Sequence, residues 1–141
     1  GKDGFEWKVK QEKGEAKADL TRKYGEAGRK SLSDHGAGAG YELKLDNTHP
    51  LAYGYGESMY LLIKDNNTFQ NLVNGWNVGL LGEYKSGFVG NNAKKDLKDV
   101  TVFGVEDKGR GKVIYLTESP IFRGFWHSGK ALFSNALFFV K

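Results

Sequence analysis

The three histidines are the side chains of this chain best suited to bind a metal or to transfer a proton. They are His35, His49 and His127, and no two are four residues apart, the spacing that places two imidazoles on one helix face for zinc. A structural role suits each of them better; His49 precedes a proline in a predicted turn, and His127 follows an aromatic cluster near a predicted helix. We therefore expect no metal and no cofactor, and only a site assembled from distant loops stays open.

Nucleophilic chemistry has little support in the residue types. The chain contains no cysteine, which excludes disulfides, thiolate metal sites and a cysteine nucleophile. Ser58, Ser119, Ser128 and Ser134 all lack the Gly-x-Ser-x-Gly frame of a hydrolase elbow. A Ser-His-Asp triad is spatial rather than sequential, so a hydrolase with a cryptic triad stays open as an alternative. It requires a cleft in which one histidine bonds both a serine and a carboxylate.

Phosphate and nucleic-acid binding are also disfavoured. Residues 104–109 have the glycine spacing of a P-loop, but Arg110 and Gly111 replace the required lysine and hydroxyl residue, so a hairpin turn is predicted there. The net charge is only +4, and lysines and arginines are interspersed with acids instead of forming a basic block. We expect no nucleic-acid partner.

Aromatic side chains can bind a ligand without any catalytic group. A surface of exposed rings would suit a carbohydrate or peptide ligand, whereas buried rings would indicate a purely structural role. Arg123 stands among aromatics and predicts a structural role, in which it bonds helix-end carbonyls or stacks on an indole; the alternative is an anion or partner contact. The candidate binding or interface residues are His49, Tyr53, Tyr55, Trp76, Arg123, Trp126 and His127.

These candidates must be positioned by an α/β domain. Residues 1–35 are polar and predict an arm or linker, partly helical in its Lys-, Glu- and Ala-rich portion, and residues 36–141 predict the folded domain. Residues 36–40 are predicted to be a flexible hinge, and residues 84–90 a glycine-interrupted connection. No apolar run is long enough to predict a membrane span.

Five segments predict strands, and one predicts a closing helix. The helix spans about residues 129–139, and its aromatic residues are expected to bury it against the sheet. The predicted strands are residues 41–45, 59–63, 76–81, 100–105 and 112–116, and a short polar helix or turn is predicted at 91–97.

Two stretches resemble a known module. Residues 46–54, Asp-Asn-Thr-His-Pro-Leu-Ala-Tyr-Gly, and the stretch from Gly109 to Phe139 resemble the C-terminal domain of certain bacterial zinc carboxypeptidase-like proteins. That domain is similar to class I glutamine amidotransferase folds. The resemblance covers about residues 36–141. It implies the second half of such a fold, a mixed β-sheet of about five or six strands with flanking helices.

The resemblance also implies a function. It implies a parent protein with a separate zinc metallopeptidase domain, exported to a secreted or periplasmic location. The amidotransferase cysteine and the peptidase zinc motif are both absent here, so neither activity carries over to this chain. The expectation is a non-catalytic accessory domain, for interaction or structural support, whose partners are other domains of the parent. A carbohydrate- or peptide-binding module is the alternative.

Overall fold

The structure, a computed structural model, describes residues 23–64, 67–124 and 126–139. Its helices are α1 (Ala27–Ser33), α2 (Asn91–Asp96) and α3 (Lys130–Phe138), and its strands are β1 (Gly36–Leu45), β2 (Ser58–Ile63), β3 (Gly75–Val89), β4 (Thr101–Lys108) and β5 (Gly111–Leu116). Short 3-10 turns occur at Tyr24–Glu26, Pro50–Ala52, Phe122–Gly124 and His127–Gly129.

The five strands form one sheet in the order β2-β1-β3-β4-β5. The α/β composition and the number of strands agree with the prediction. All four pairings are antiparallel, so the expected mixture of strand directions is not found among the described residues. Strands β4 and β5 are joined by a two-residue turn, a connection that only antiparallel neighbours can have. The sheet curls, and Lys64 after β2 lies 3.9 Å from the carboxylate of Glu118 after β5.

Burial alternates along β1 and β2, which gives these strands one inner face. In β1, Tyr41, Leu43 and Leu45 are buried while Lys44 is exposed, as the sequence alternation predicts. Phe103 of β4 is fully buried and belongs to the same core. This core fixes the positions of the strand ends, where the candidate site is found.

Two predicted connections are strand instead. Residues 36–40 lie in β1, not in a hinge, and β3 continues through residues 84–89. The glycines allow these two stretches to pair closely. Gly87 has φ +93°, and a Cβ added there would lie 2.6 Å from the carbonyl oxygen of Gly38. Glycine richness here marks a close backbone approach rather than freedom of the chain.

The predicted arm is described only from residue 23. Helix α1 lies within it, and its end is tied to the segment that starts α2, because Asn92 Nδ2 donates to Asp34 Oδ1 at 2.8 Å and Gly90 N donates to His35 O at 3.0 Å. Residues 1–22 lie outside the described residues. The boundary between arm and domain stays a prediction.

Helix α3 occupies the predicted position, but its burial differs from the expectation. Leu132 and Asn135 are buried, whereas Phe138 is 77% exposed. The helix packs beside the 3-10 turn at residues 50–52, where backbone carbonyls need donors: Asn135 Nδ2 donates to Leu51 O at 3.1 Å and to Tyr53 O at 2.7 Å. A polar side chain thus faces inward, and phenylalanine rings face outward.

Candidate functional site

A pocket of about 450 Å³ opens at the end of the sheet where β1 and β4 end and β3 and β5 begin. This volume falls in the range of small-ligand sites, roughly 300–1,000 Å³. Its lining combines apolar groups with a few polar ones: His49, Pro50, Leu51, Asn74, Gly75, Trp76, Val105, Asp107, Lys112 and Phe139.

Trp76 forms one wall from the start of β3, where it pairs with Val105 of β4. Its side chain is 64% exposed. The preceding loop is held by Asn77, whose Oδ1 accepts from Leu72 N at 2.8 Å and whose Nδ2 donates to Leu72 O at 3.0 Å. Thr101 Oγ1 donates to Asn77 Oδ1 at 2.6 Å. This network fixes the loop that carries Asn74 into the pocket.

His49 is held in one orientation by the turn that it caps. Its Nδ1 accepts a hydrogen bond from Leu51 N at 3.2 Å, and Pro50 begins the turn. The proton of the neutral ring is therefore assigned to Nε2. The imidazole centroid lies 6.1 Å from the ring of Trp76.

Burial lowers the pKa of the His49 imidazole. The nearby Asp46 carboxylate opposes this shift, and the Lys112 ammonium adds to it. The net direction favours a neutral imidazole at neutral pH. His49 is therefore a hydrogen-bond donor through Nε2 rather than a fixed positive charge.

Asp107 and Lys112 form an ion pair across the β4–β5 hairpin. The two residues are directly opposite in the strand register, and Lys112 Nζ donates to Asp107 Oδ1. Both remain partly exposed to solvent. Each therefore keeps hydrogen-bonding capacity for a ligand, while the pair adds no net charge to the pocket.

Tyr53 adjoins the pocket without lining it. Its ring meets that of Phe139 edge-to-face, with centroids 5.6 Å apart, and Phe139 lines the pocket. Tyr53 itself is 70% exposed. It extends the aromatic surface outward from the pocket mouth.

The other predicted residues lie outside the pocket lining. The Tyr55 hydroxyl donates to Ser128 O and accepts from Leu132 N at 2.8 Å, and burial raises its pKa. Trp126 Nε1 donates to Tyr60 O at 3.2 Å. These contacts fasten the C-terminal segment to the rest of the fold.

Arg123 and His127 are surface residues of the same segment. Arg123 has the left-handed φ of 50°, and its guanidinium lies 5.2 Å from the Phe122 ring centroid, so it stacks on a phenylalanine. His127 starts an exposed 3-10 turn. The structure thus brings together only His49 and Trp76 of the seven candidates as pocket lining.

Sequence reasoning missed several lining residues. Asp107 and Lys112 were predicted to lie in a hairpin but not to pair with each other, although opposite charges flanking a predicted turn indicate a cross-strand pair. Phe139 was assigned to a buried helix face, and Asn74 carried no signal. Their convergence depends on the order and register of the strands, which a local sequence pattern does not determine.

The pocket does not contain the cleft that a cryptic triad requires. Its lining, all within the described residues, includes one histidine and one carboxylate but no serine. The Nδ1 atom of His49 is already used by Leu51 N. Across the described ranges, no cluster of three or more His, Cys, Asp or Glu side chains is arranged to hold a metal ion.

None of the helices in the described part of the chain combines the length and apolar character needed to cross a membrane. The chain matches no protein-family model, no curated protein and no solved structure.

Proposed function

We propose that this chain is a non-catalytic accessory domain of a secreted zinc carboxypeptidase-like protein. In this proposal it contacts other domains of that protein through the outward face of α3. The sequence resemblance supports the identity of the parent and its export. The contact is supported mainly by the exposed apolar side chains of α3.

The outward face of α3 consists of Phe133, Leu137 and Phe138, which are 39%, 63% and 77% exposed. Tyr53 and Phe139 lie beside it and are 70% and 47% exposed. Large contiguous apolar patches on a protein surface mark interaction sites. A neighbouring domain of the same chain would remove these rings from water.

The assignment of catalysis to the parent follows from residue types. Glutamine hydrolysis in class I amidotransferases uses a cysteine, and the chain has none. The zinc motif of the peptidase is absent from the sequence as well. Without the cysteine and the zinc motif, an accessory role is the function that the resemblance still implies for this chain.

Hydroxyl-radical footprinting of the full parent protein and of the isolated chain tests this contact. We expect modification of Leu137 and Phe138 to fall several-fold in the parent. Tyr60, a 59% exposed ring on β2, is the internal control and should react equally in both. Equal modification of Leu137 and Phe138 in the two proteins would reject the contact.

A second candidate, a carbohydrate- or peptide-binding module, is favoured by a different observation. The pocket places an exposed indole next to several polar groups, and its lining includes Phe139, which follows α3, but no residue of the helix itself. Binding in the pocket and domain contact through α3 are compatible, and they have separate tests.

A further inference from the structure

We infer that the pocket at the end of the sheet binds one pyranose ring of a neutral carbohydrate. This inference does not depend on the accessory role, because it uses the pocket lining rather than the outward face of α3. It chooses between the two ligand classes that the aromatic residues suggest, carbohydrate and peptide.

The apolar part of the lining suits the CH face of a sugar. The Trp76 indole is 64% exposed at the pocket, so a flat apolar surface is open to a ligand. Leu51 and Val105 are buried and form a floor that cannot bond water. An aromatic platform over an apolar floor gains free energy when a ring with CH groups replaces water.

The polar part of the lining suits hydroxyl groups. His49 supplies a donor at Nε2, Lys112 supplies ammonium donors, and Asp107 supplies carboxylate acceptors. Asn74 offers both a donor and an acceptor. A sugar hydroxyl donates one hydrogen bond and accepts others, so this mixed set matches a polyol better than a group of one kind.

The charges of the pocket disfavour an anion. Lys112 is already paired with Asp107, and His49 is held neutral by burial. A peptide carboxylate would have to displace Asp107 from Lys112 and would then lie close to a second negative charge. A neutral ligand avoids this repulsion.

Contacts within the chain hold the pocket lining in place. The bond from Leu51 N fixes the His49 ring, and Asn77 fixes the loop before Trp76. A Cβ at Gly75 would lie 2.5 Å from Val105 O, so the backbone there is closely packed against β4. Such pre-organisation lowers the entropic cost of binding.

The test is a titration of the ¹⁵N-labelled chain followed by the indole N–H signals of its three tryptophans. The probes are methyl β-glucopyranoside, methyl α-mannopyranoside and N-acetylglucosamine, with N-acetylphenylalanine as an anionic probe. We expect at least one pyranoside to shift the Trp76 signal saturably while the Trp126 signal stays in place. Absence of a saturable shift with all three pyranosides would overturn the inference.

Variants locate the site. Trp76→Ala should abolish the shifts of neighbouring amides, and Asp107→Asn should weaken binding about tenfold, the effect of losing a charged hydrogen bond. Phe88→Ala is the matched control, because Phe88 is a half-exposed ring at the opposite end of the same strand, and it should bind normally. Unchanged binding by Trp76→Ala would overturn the inference.

Tighter binding of N-acetylphenylalanine than of any pyranoside would also overturn it, since the pocket would then select an anionic ligand. These outcomes are distinguishable from failure of the accessory proposal. That proposal is measured by the modification of Leu137 and Phe138, and neither residue lines the pocket.

Discussion

The loop between β1 and β2, residues 46–57, borders two regions that differ in the hydrogen bonding of their polar side chains. On one side, the anchor cluster of Tyr55, Gly129, Leu132 and Asn135 fastens the C-terminal segment, and its side-chain polar atoms are bonded to backbone. On the other side, the pocket keeps Asp107 and Lys112 open to solvent.

This difference distinguishes polar side chains that stabilise the fold from polar side chains that are available to a ligand. Asn135 is only 5% exposed, so its hydrogen bonds satisfy carbonyls that would otherwise be buried without partners. Pocket groups retain unused donors and acceptors beside an exposed ring. Changes in the anchor cluster should therefore cost folding free energy, and changes in the pocket should cost binding.

The largest loss of stability is expected from Gly129→Ala in the anchor cluster. A Cβ there would lie 1.9 Å from the carbonyl oxygen of Pro120. The position of a Cβ is fixed by its own backbone, and the carbonyl is a backbone group, so no side-chain rotation can relieve the clash. We expect a loss of about 3 kcal/mol or more in the free energy of unfolding, measured by urea denaturation. Gly56→Ala is the control, since nothing lies within 4 Å of its added Cβ. Similar urea midpoints for the two variants would contradict this packing.

Asn135→Ala should produce the next largest effect. The substitution leaves Leu51 O and Tyr53 O without their side-chain donor, at a cost of about 2–3 kcal/mol in the free energy of unfolding. Ser134→Ala, at an exposed position of the same helix, is the matched control. If both variants unfold at the same urea concentration, the anchor cluster does not depend on Asn135.

A smaller effect is expected from protonation of His49, at the border of the two regions. Its pKa is lowered in the folded state, so the unfolded chain, with a histidine pKa of about 6.5, binds protons more readily. Stability should therefore be full above this value and fall as the pH drops through it. Protonation also removes the acceptor for Leu51 N.

The charged groups that act on His49 are Asp46, which favours protonation, and Lys112, which opposes it. Urea unfolding between pH 7 and pH 5 measures the effect. His49→Asn keeps an acceptor for Leu51 N but does not titrate, so its stability should change less over this range. An identical pH dependence of the variant and the unmodified chain would show that His49 contributes nothing to it.

Local patterns predicted the elements better than their surroundings. The alternation at residues 41–45 identified β1, because successive side chains of a half-buried strand point alternately to the core and to solvent. The turn at His49 and Pro50 was likewise local. The extension of β3 beyond residue 81 was missed, because it depends on pairing with β1, where Gly87 lies opposite Ala39 and close to the carbonyl of Gly38, far away in the chain.

The site was less predictable than the fold. Helical spacing showed that α3 has a buried face, but not that loop carbonyls would draw Asn135 inward and leave Phe138 outside. His49 and Trp76 were identified as candidates from their types alone. Asp107 and Lys112 join them in the pocket because β3, β4 and β5 are neighbours in the sheet, a long-range arrangement that residue types do not reveal.

The division between anchor cluster and pocket is tested most directly by one measurement, the rise in melting temperature caused by the best-binding pyranoside. A ligand that binds only the folded chain raises this temperature. Tyr55→Phe, which loses two anchor hydrogen bonds, should melt at a lower temperature but keep the full rise. Trp76→Ala should melt within a few degrees of the unmodified chain and lose the rise. The opposite result, a rise kept by Trp76→Ala and lost by Tyr55→Phe, would contradict the account.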